Sequence, residues 1–443
     1  MEKLDLTKEI TDYAALRETL AESNPVDIAE ALEETQEPTT LKVFRMLPKD
    51  LAAEVFSYLP PDLQQQIVEA VTDKEMKSII DEMFLDDAVD FIEEMPANVV
   101  KRVLAGASKE KRDLINSFLK YPDGSAGSIM TVEYVSLRPH YTVKEAFDRI
   151  RSTGVNKETI YTCYVTDPAK QLIGTVSVKD LLLASYEDLV GDIMDTNIIS
   201  ATTSEDKETL ANEFAKYDLL AMPVVDHENR LVGIVTVDDA FEVQQDEATE
   251  DFSIMAAVSP SETPYLRTGV IQLTRNRVLW LMLLMLTATI TGAIISSFEE
   301  ALAVLPALVA FIPMLMDTGG NAGSQSSTLV IRGMALEEIE LGDVLLVLWK
   351  EFRIALLCGT ALSAVNFVRV MITNGRNVVL AGTVSISLFI TVIISKSVGC
   401  MLPMGAKRLG LDPAVMASPV ITTIVDACTL LVYLSLCKGF LGI

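Results

Sequence analysis

Two kinds of apolar spacing divide the chain. Over residues 24–119 apolar positions recur at helical intervals in short runs, punctuated by Pro25, Pro48, Pro60, Pro61 and Pro96. In Leu47-Pro48-Lys49-Asp50-Leu51 and in Leu59-Pro60-Pro61-Asp62-Leu63 the proline suits a first helical turn and the Asp suits the positive helix end. The pattern predicts a small layer or superhelix of short amphipathic helices. From residue 278 onward the runs are long and nearly free of charge: 278–298, a run from near 301 into 313–327, 355–370, 378–395 with an extension toward Pro403, and 413–437. Runs of that length and composition predict five membrane crossings.

Between these regions the sequence repeats itself. Residues 171–181 (QLIGTVSVKDL) align with 230–240 (RLVGIVTVDDA), and 160–167 (IYTCYVTD) with 219–226 (LLAMPVVD), both at an offset of 59. Each copy reads as strand, turn, strand and helix, preceded by a helix near 143–152 or 207–217. The repeat resembles a tandem pair of CBS domains over 127–243, including the paired starts Ile129-Met130 and Ile193-Met194. A Gly-x-x-Ser/Thr-x-x-Asp pattern occurs in register as Gly174, Ser177, Asp180 and as Gly233, Thr236, Asp239. That resemblance implies an adenine-nucleotide site, or a pair that only scaffolds a dimer. Where an aromatic ring would stack on adenine stand Thr162, beside Tyr161, and Leu219, and a basic contact becomes Lys179. These departures argue against ATP as a modulator, with Asp180 the retained position that could contact it.

Charge is as uneven as hydropathy. Of 62 acids 52 precede residue 265, against 24 of the 36 Lys and Arg. Such a surface repels nucleic acid and anionic lipid and attracts divalent cations. Its acids include Glu54, Asp86 and Asp90 in the helical region and a run from Asp238 to Asp251 that reads as a helical connector. In that connector Glu247 and Glu250 share a face with Asp251, and like charges at this spacing weaken a helix unless a cation binds. Residues 1–10 are charged, without an apolar core, so no secretory signal is expected. Five cysteines without ligand spacing and two histidines argue against a zinc site or disulfide framework. Basic residues flank the long runs at Arg267, Arg275, Arg277, Arg332, Lys350, Arg353, Lys407 and Arg408, which places these ends and the acidic half in the cytoplasm and the C-terminus outside.

Asp426 is the single ionisable side chain within the last apolar run. A carboxylate at that depth is costly unless water, a cation or a partner meets it, so it marks a transport path or a protonated, hydrogen-bonded structural group. Thr422 shares its helical face, Pro419 would free a carbonyl oxygen four residues back, and Asp412 would lie at the cytosolic mouth, roughly 20 Å away. The polar, glycine-rich end of the second run (317–327) does not read as lipid-facing helix. Gly319, Gly320, Gly323 and Ser324 permit close packing, while Asn321 and Gln325 can present amides on one face. All these donors are oxygen, which suits a hard, hydrated cation such as Mg²⁺.

Taken whole, the chain resembles the MgtE family of magnesium channels and transporters, most specifically in DTGGNAGSQSSTLVIR (317–332) and in 412–426. The resemblance implies a multi-domain fold. An acidic α-helical N domain (1–126) precedes an α/β tandem CBS pair (127–243), an acidic connecting helix (244–264) and a C-terminal all-α membrane domain of five transmembrane helices (265–443). It further implies a homodimer in the cell membrane, with Asp426, Thr422 and Asn321 along a shared Mg²⁺ path and Asp412 at the inner mouth. Regulatory Mg²⁺ would bind among Glu208, Asp218, Asp238, Asp239, Glu242, Glu247, Glu250 and Asp251, with Glu54, Asp86 and Asp90 of the N domain. Neutralised acids would hold the connector closed, and bare ones would repel and open the pore. The alternatives are a CBS-regulated carrier for Co²⁺, Mn²⁺ or another solute, and a membrane-anchored regulatory protein. An enzyme is not expected, since no nucleophile with a paired base and no Walker-type loop occurs.

Overall fold

The computed structural model describes residues 6, 13–35, 38–261, 265–266, 268–336, 338–375 and 377–441, so Arg267 lies outside the described residues. The chain divides into two compact units, 1–244 and 245–443.

The first unit opens with short helices: α1 (Tyr13–Glu22), α2 (Pro25–Glu33), α3 (Thr39–Phe44), α4 (Lys49–Ser57), α5 (Pro61–Ala70), α6 (Asp73–Glu82), α7 (Leu85–Glu94), α8 (Ala97–Gly106) and α9 (Lys109–Phe118). The prolines do what their spacing suggests. Pro25 and Pro61 occupy the first helical turn, and Pro48 and Pro96 are the N-cap residues of α4 and α8. There a missing N–H costs nothing, because the first amides of a helix have no intrahelical partner. A seam of Phe44, Phe56 and Phe91 packs the layer together, with centroids 6.2 and 5.0 Å apart. Arg102 of α8 caps the end of α5 by donating to the Val68 and Val71 carbonyls at 2.6 and 2.7 Å.

The repeat folds as two three-stranded sheets. β1 (Ser136–Leu137), β2 (Thr162–Thr166) and β3 (Leu172–Ser177) form one, and β4 (Ala201–Thr202), β5 (Ala221–Val225) and β6 (Leu231–Thr236) the other, each parallel then antiparallel in that order. Helices α10 (Val143–Thr153), α11 (Val178–Leu183), α12 (Val190–Ile193), α13 (Lys207–Tyr217) and α14 (Val237–Met255) complete the copies. The offset of 59 holds for β2 with β5 and for β3 with β6, but not for β1 with β4 or for α10 with α13, because the first copy inserts a 3-10 turn, Gly154–Asn156, before β2.

The copies interlock. Leu172 N–H donates to the Asn229 carbonyl and Leu231 N–H to that of Lys170, both at 3.0 Å, with Lys170 and Asn229 each in the left-handed region. Met130, which begins the first copy, lies against Gly233 of the second, and Met194 of the second lies against Gly174 of the first. The glycine of the repeated motif is thus the floor on which the other copy's methionine sits.

The second unit contains α15 (Val270–Ser297), a short α16 (Glu299–Val304), α17 (Ile312–Ala335), α18 (Val344–Thr373), α19 (Val378–Arg408) and α20 (Ser418–Leu441). Among the described residues four stretches are long and apolar enough to cross a membrane: Val270–Ser297, Leu341–Thr373, Val378–Arg408 and Pro413–Phe440. The second expected span differs from its sequence reading. Residues 312–335 form one continuous helix through the glycine-rich segment, and the interruption falls earlier, at α16 and the 3-10 turn Pro306–Phe311. Gly319, Gly320 and Gly323 of α17 lie within the continuous helix and against close neighbours on α19 and α20.

Candidate functional site

Three glycines fix where α17 lies. A Cβ at Gly320 would stand 3.1 Å from Thr422 Cγ2, one at Gly323 2.8 Å from Ile421 Cγ2, and one at Gly319 2.8 Å from Thr391 Cγ2 and 3.0 Å from Val425 Cγ1. Contacts that advance along α17 as they retreat along α20 make these helices antiparallel. Asp317, one turn before Gly320, therefore approaches Asp426, one turn after Thr422, and their carboxylates interact electrostatically. Asp426 Oδ1 is buried without a hydrogen-bond partner. On α17 the positions Asp317, Asn321, Gln325 and Thr328 form an exposed polar stripe in a membrane helix, beside the buried glycine seam. Seam and exposed polar face thus share one helix.

Asp412 accepts from the Ala414 N–H at 2.8 Å and so caps the 3-10 turn Pro413–Met416. The expected role of Pro419 needs correction. The helix begins at Ser418, so Pro419 sits in its first turn and has no internal hydrogen bond to remove. Its own carbonyl accepts from the Thr423 hydroxyl at 3.1 Å. Within this same unit burial raises the pKa of Asp251, at the end of α14, with Asp412, Glu247 and Glu250 adding to the rise and Arg332 opposing it. Asp251 is therefore in the field of Asp412 as well as of the connector acids Glu247 and Glu250.

In the first unit a second acidic group forms between α7, α14 and the loop before β2. Burial pushes Asp86 well above the usual carboxylate range, with Asp239, Asp87 and Glu158 adding to it. Burial is also the main cause for Asp87 and Asp239, raised to about 6, for Asp90, raised to about 7, and for Glu158, raised to about 8. Asp238 and Glu242 belong to the same field, and Glu54 joins Asp87 and Asp238 around Tyr58. Lys111 faces them as a cation; its Nζ donates to the Met83 carbonyl at 2.5 Å, and burial lowers its pKa.

The fold thus gathers Asp86, Asp90, Asp238, Asp239 and Glu242, with Glu54 at the edge. Glu208 is in the first turn of α13, and Asp218 ends that helix with φ 53°. Among the described residues no group of three or more His, Cys, Asp or Glu side chains is close enough to hold one ion. Ser177–Asp180 and Thr236–Asp239 are engaged locally, with hydroxyl-to-carboxylate bonds of 2.5 and 2.6 Å across the first turns of α11 and α14. Sequence reading missed Glu158 and Lys111, whose meeting with the acids of α7 depends on tertiary packing. It also missed Glu351 and Lys396, buried together between α18 and α19. For Lys396 the signal was present, a lone charge in the extension of an apolar run, whereas Glu351 stands between Lys350 and Arg353 and reads as part of a polar segment.

A bundle with an unpartnered carboxylate oxygen beside an exposed polar helix face, following an acidic unit with a CBS-type pair, fits a regulated membrane transporter for hard cations. The chain belongs to the MgtE family. The family model described as a divalent cation transporter matches residues 312–436, the MgtE intracellular N domain matches 23–124, and CBS domains match 126–187 and 190–246. The magnesium transporter MgtE of Thermus thermophilus is 37% identical over 431 residues, covering 96% of this chain and 95% of that protein. That of Bacillus subtilis is 34% identical over 425 residues, covering 96% and 94%. A crystal structure of the cytosolic domain of the Mg²⁺ channel MgtE in complex with ATP matches with a TM-score of 0.50 and 36% identity, covering 52% of this chain and 95% of that one. The soluble part of a magnesium transporter matches at 0.51 and 30% identity, covering 53% and 93%.

Proposed function

We propose that this chain transports hydrated Mg²⁺ across the membrane along a path lined by Asp426, Thr422 and Asn321, with Asp412 at the cytosolic mouth. The observation that carries this reading is the buried, unpartnered Oδ1 of Asp426 in a membrane helix, beside the polar stripe of α17. An uncompensated carboxylate at such depth is expensive, and a hydrated cation between two copies compensates it. The working unit is a homodimer with the path on its two-fold axis, which also accounts for a polar stripe exposed on one protomer.

Residues 1–126, 127–243, 244–264 and 265–443 serve as N domain, CBS pair, connecting helix and pore domain. Five crossings are supported by helix direction. α17 advances alongside α19 through Gly319 with Thr391, Gly323 with Ser395 and Ser326 with Lys396, and it runs against α20. The family is one of membrane transporters with a cytosolic N-terminal region, not a class of enzymes. Regulation works through the acids. Mg²⁺ neutralises Glu54, Asp86, Asp90, Asp238, Asp239 and Glu242 on one surface and Glu208, Asp218, Glu247, Glu250 and Asp251 on others, closing the connector when cytosolic Mg²⁺ is plentiful.

The test is Mg²⁺ uptake in a magnesium-dependent host. Asp426→Ala should abolish uptake while inserting at the parent's level. Undiminished flux through a correctly inserted Asp426→Ala protein would remove the pore assignment.

A further inference from the structure

Glu351 of α18 and Lys396 of α19 are ionisable, lie within membrane helices and take no part in the ion path above. Both are buried, 7% and 6% exposed, with Lys396 Nζ 3.5 Å from Glu351 Oε2. Ser326 of α17, fully buried, completes the group. Its hydroxyl donates to Glu351 Oε2 at 2.6 Å and accepts from Lys396 Nζ at 3.1 Å. One hydroxyl therefore ties the third helix to a charge pair held by the other two.

The position on α17 matters. Ser326 directly follows Gln325 of the exposed stripe, so about 100° of helix rotation separates the buried tether from the wetted face. The next residue, Ser327, donates to the Met416 carbonyl at 3.2 Å, in the turn that Asp412 caps. The rest of the seam is glycine. Gly319, Gly320 and Gly323 lie against α19 and α20, and a Cβ at Gly399 would fall on the Gly323 carbonyl. Glycine lets backbones approach closely but offers no side chain to interlock, so such a seam resists separation better than it resists rotation. A charge-assisted, fully buried hydrogen bond is directional and costly to leave unmade.

We propose that Ser326, Glu351 and Lys396 are positioning residues: they fix the rotation of α17 and thereby place Asn321 and Gln325 along the ion path. The pair holds α18 against α19, and Ser326 indexes α17 to that frame. This rests on the reading of α17 as a wall of the path.

The test uses the full-length protein in proteoliposomes, with Mg²⁺ and Co²⁺ uptake measured separately and expressed as a ratio. That ratio does not depend on how many molecules are folded, so a loss of stability alone leaves it unmoved. Ser326→Ala keeps both charges paired and removes only the tether, and it should change the ratio by about threefold or more. Ser326→Thr, which retains the hydroxyl, should stay near the parent. Glu351→Gln and Lys396→Met should shift the ratio in the same direction. The reversed pair, Glu351→Lys with Lys396→Glu, should return it toward the parent, because a serine hydroxyl can donate to a carboxylate and accept from an ammonium on either helix. An unchanged ratio in Ser326→Ala overturns the proposal by itself, including when the charge variants fail to insert. So does a reversed pair that inserts and lies no closer to the parent than the single variants. Undiminished flux in Asp426→Ala would instead remove the pore reading, whereas a dead Asp426→Ala with an unmoved Ser326→Ala ratio removes only the triad.

Discussion

Ser177–Asp180 and Thr236–Asp239 are the same local device, 59 residues apart, and they have different chemistry. Each carboxylate accepts from the hydroxyl and the N–H three residues earlier. Asp180 is exposed, with little around it, while Asp239 is packed among Asp86, Asp90, Glu158, Asp238 and Glu242 and is pushed up to about 6 by burial. The difference comes from what surrounds each motif: helix α7 of the N domain brings Asp86 and Asp90 into the field of Asp239, in the second copy. A motif fixes the cap, and its neighbours decide the electrostatic surroundings of the carboxylate.

The contrast can be strained first with pH. Glu158, Asp90, Asp87 and Asp239 hold protons in the folded state that an unfolded chain releases near pH 4, so their contribution to stability is fully present below that pH and is lost as the pH rises through about 6 to 8. In divalent-free buffer the melting temperature of residues 1–261 should fall by about 10 °C between pH 5.5 and 8.5, and saturating Mg²⁺ should remove most of that slope. A flat profile by differential scanning calorimetry would mean that the second copy is no more a sensor than the first.

The two glycine floors offer the next contrast. The three atoms nearest a methyl group at Gly174 all belong to the Met194 side chain, which can give way, whereas at Gly233 they include the Thr131 carbonyl at 2.8 Å. Gly233→Ala should therefore cost about 2 kcal/mol and Gly174→Ala about half that, read from urea unfolding. Equal costs would contradict the backbone contact.

Asp239→Asn keeps an oxygen for the Thr236 hydroxyl and removes a charge from the crowded side. It should raise the Mg²⁺-free melting temperature at pH 8 by about 4 °C, while Asp180→Asn moves it by about 1 °C or less. Matching shifts would show that the surroundings do not distinguish the copies. The smallest effect belongs to nucleotide. Without an aromatic at Thr162 or Leu219, millimolar ATP should shift the melting temperature by no more than about 1 °C, and a larger shift would restore ATP as a modulator.

Much of this was legible because local patterns carry it. The proline-opened helices, the repeated strands and the apolar runs depend on neighbours within a few residues. What stayed hidden depended on distant ones. The third membrane helix begins at Val344, not near 355, because Lys350, Glu351 and Arg353 read as a polar loop until Lys396 is seen to neutralise Glu351. Asp426, Asn321 and the glycine seam could be picked out as unusual residues for a membrane helix. Glu158 could not, since nothing in its own loop indicates that α7 and α14 converge on it.

The crossed methionines set the order in which this protein can be made. As the chain leaves the ribosome, Gly174 emerges before Met194, so the first copy waits with an uncovered floor until the second has begun. Met130, already released, has no seat until Gly233 follows. Neither copy can be finished alone, and a gene that lost one of them would encode an incomplete half, not a smaller working pair.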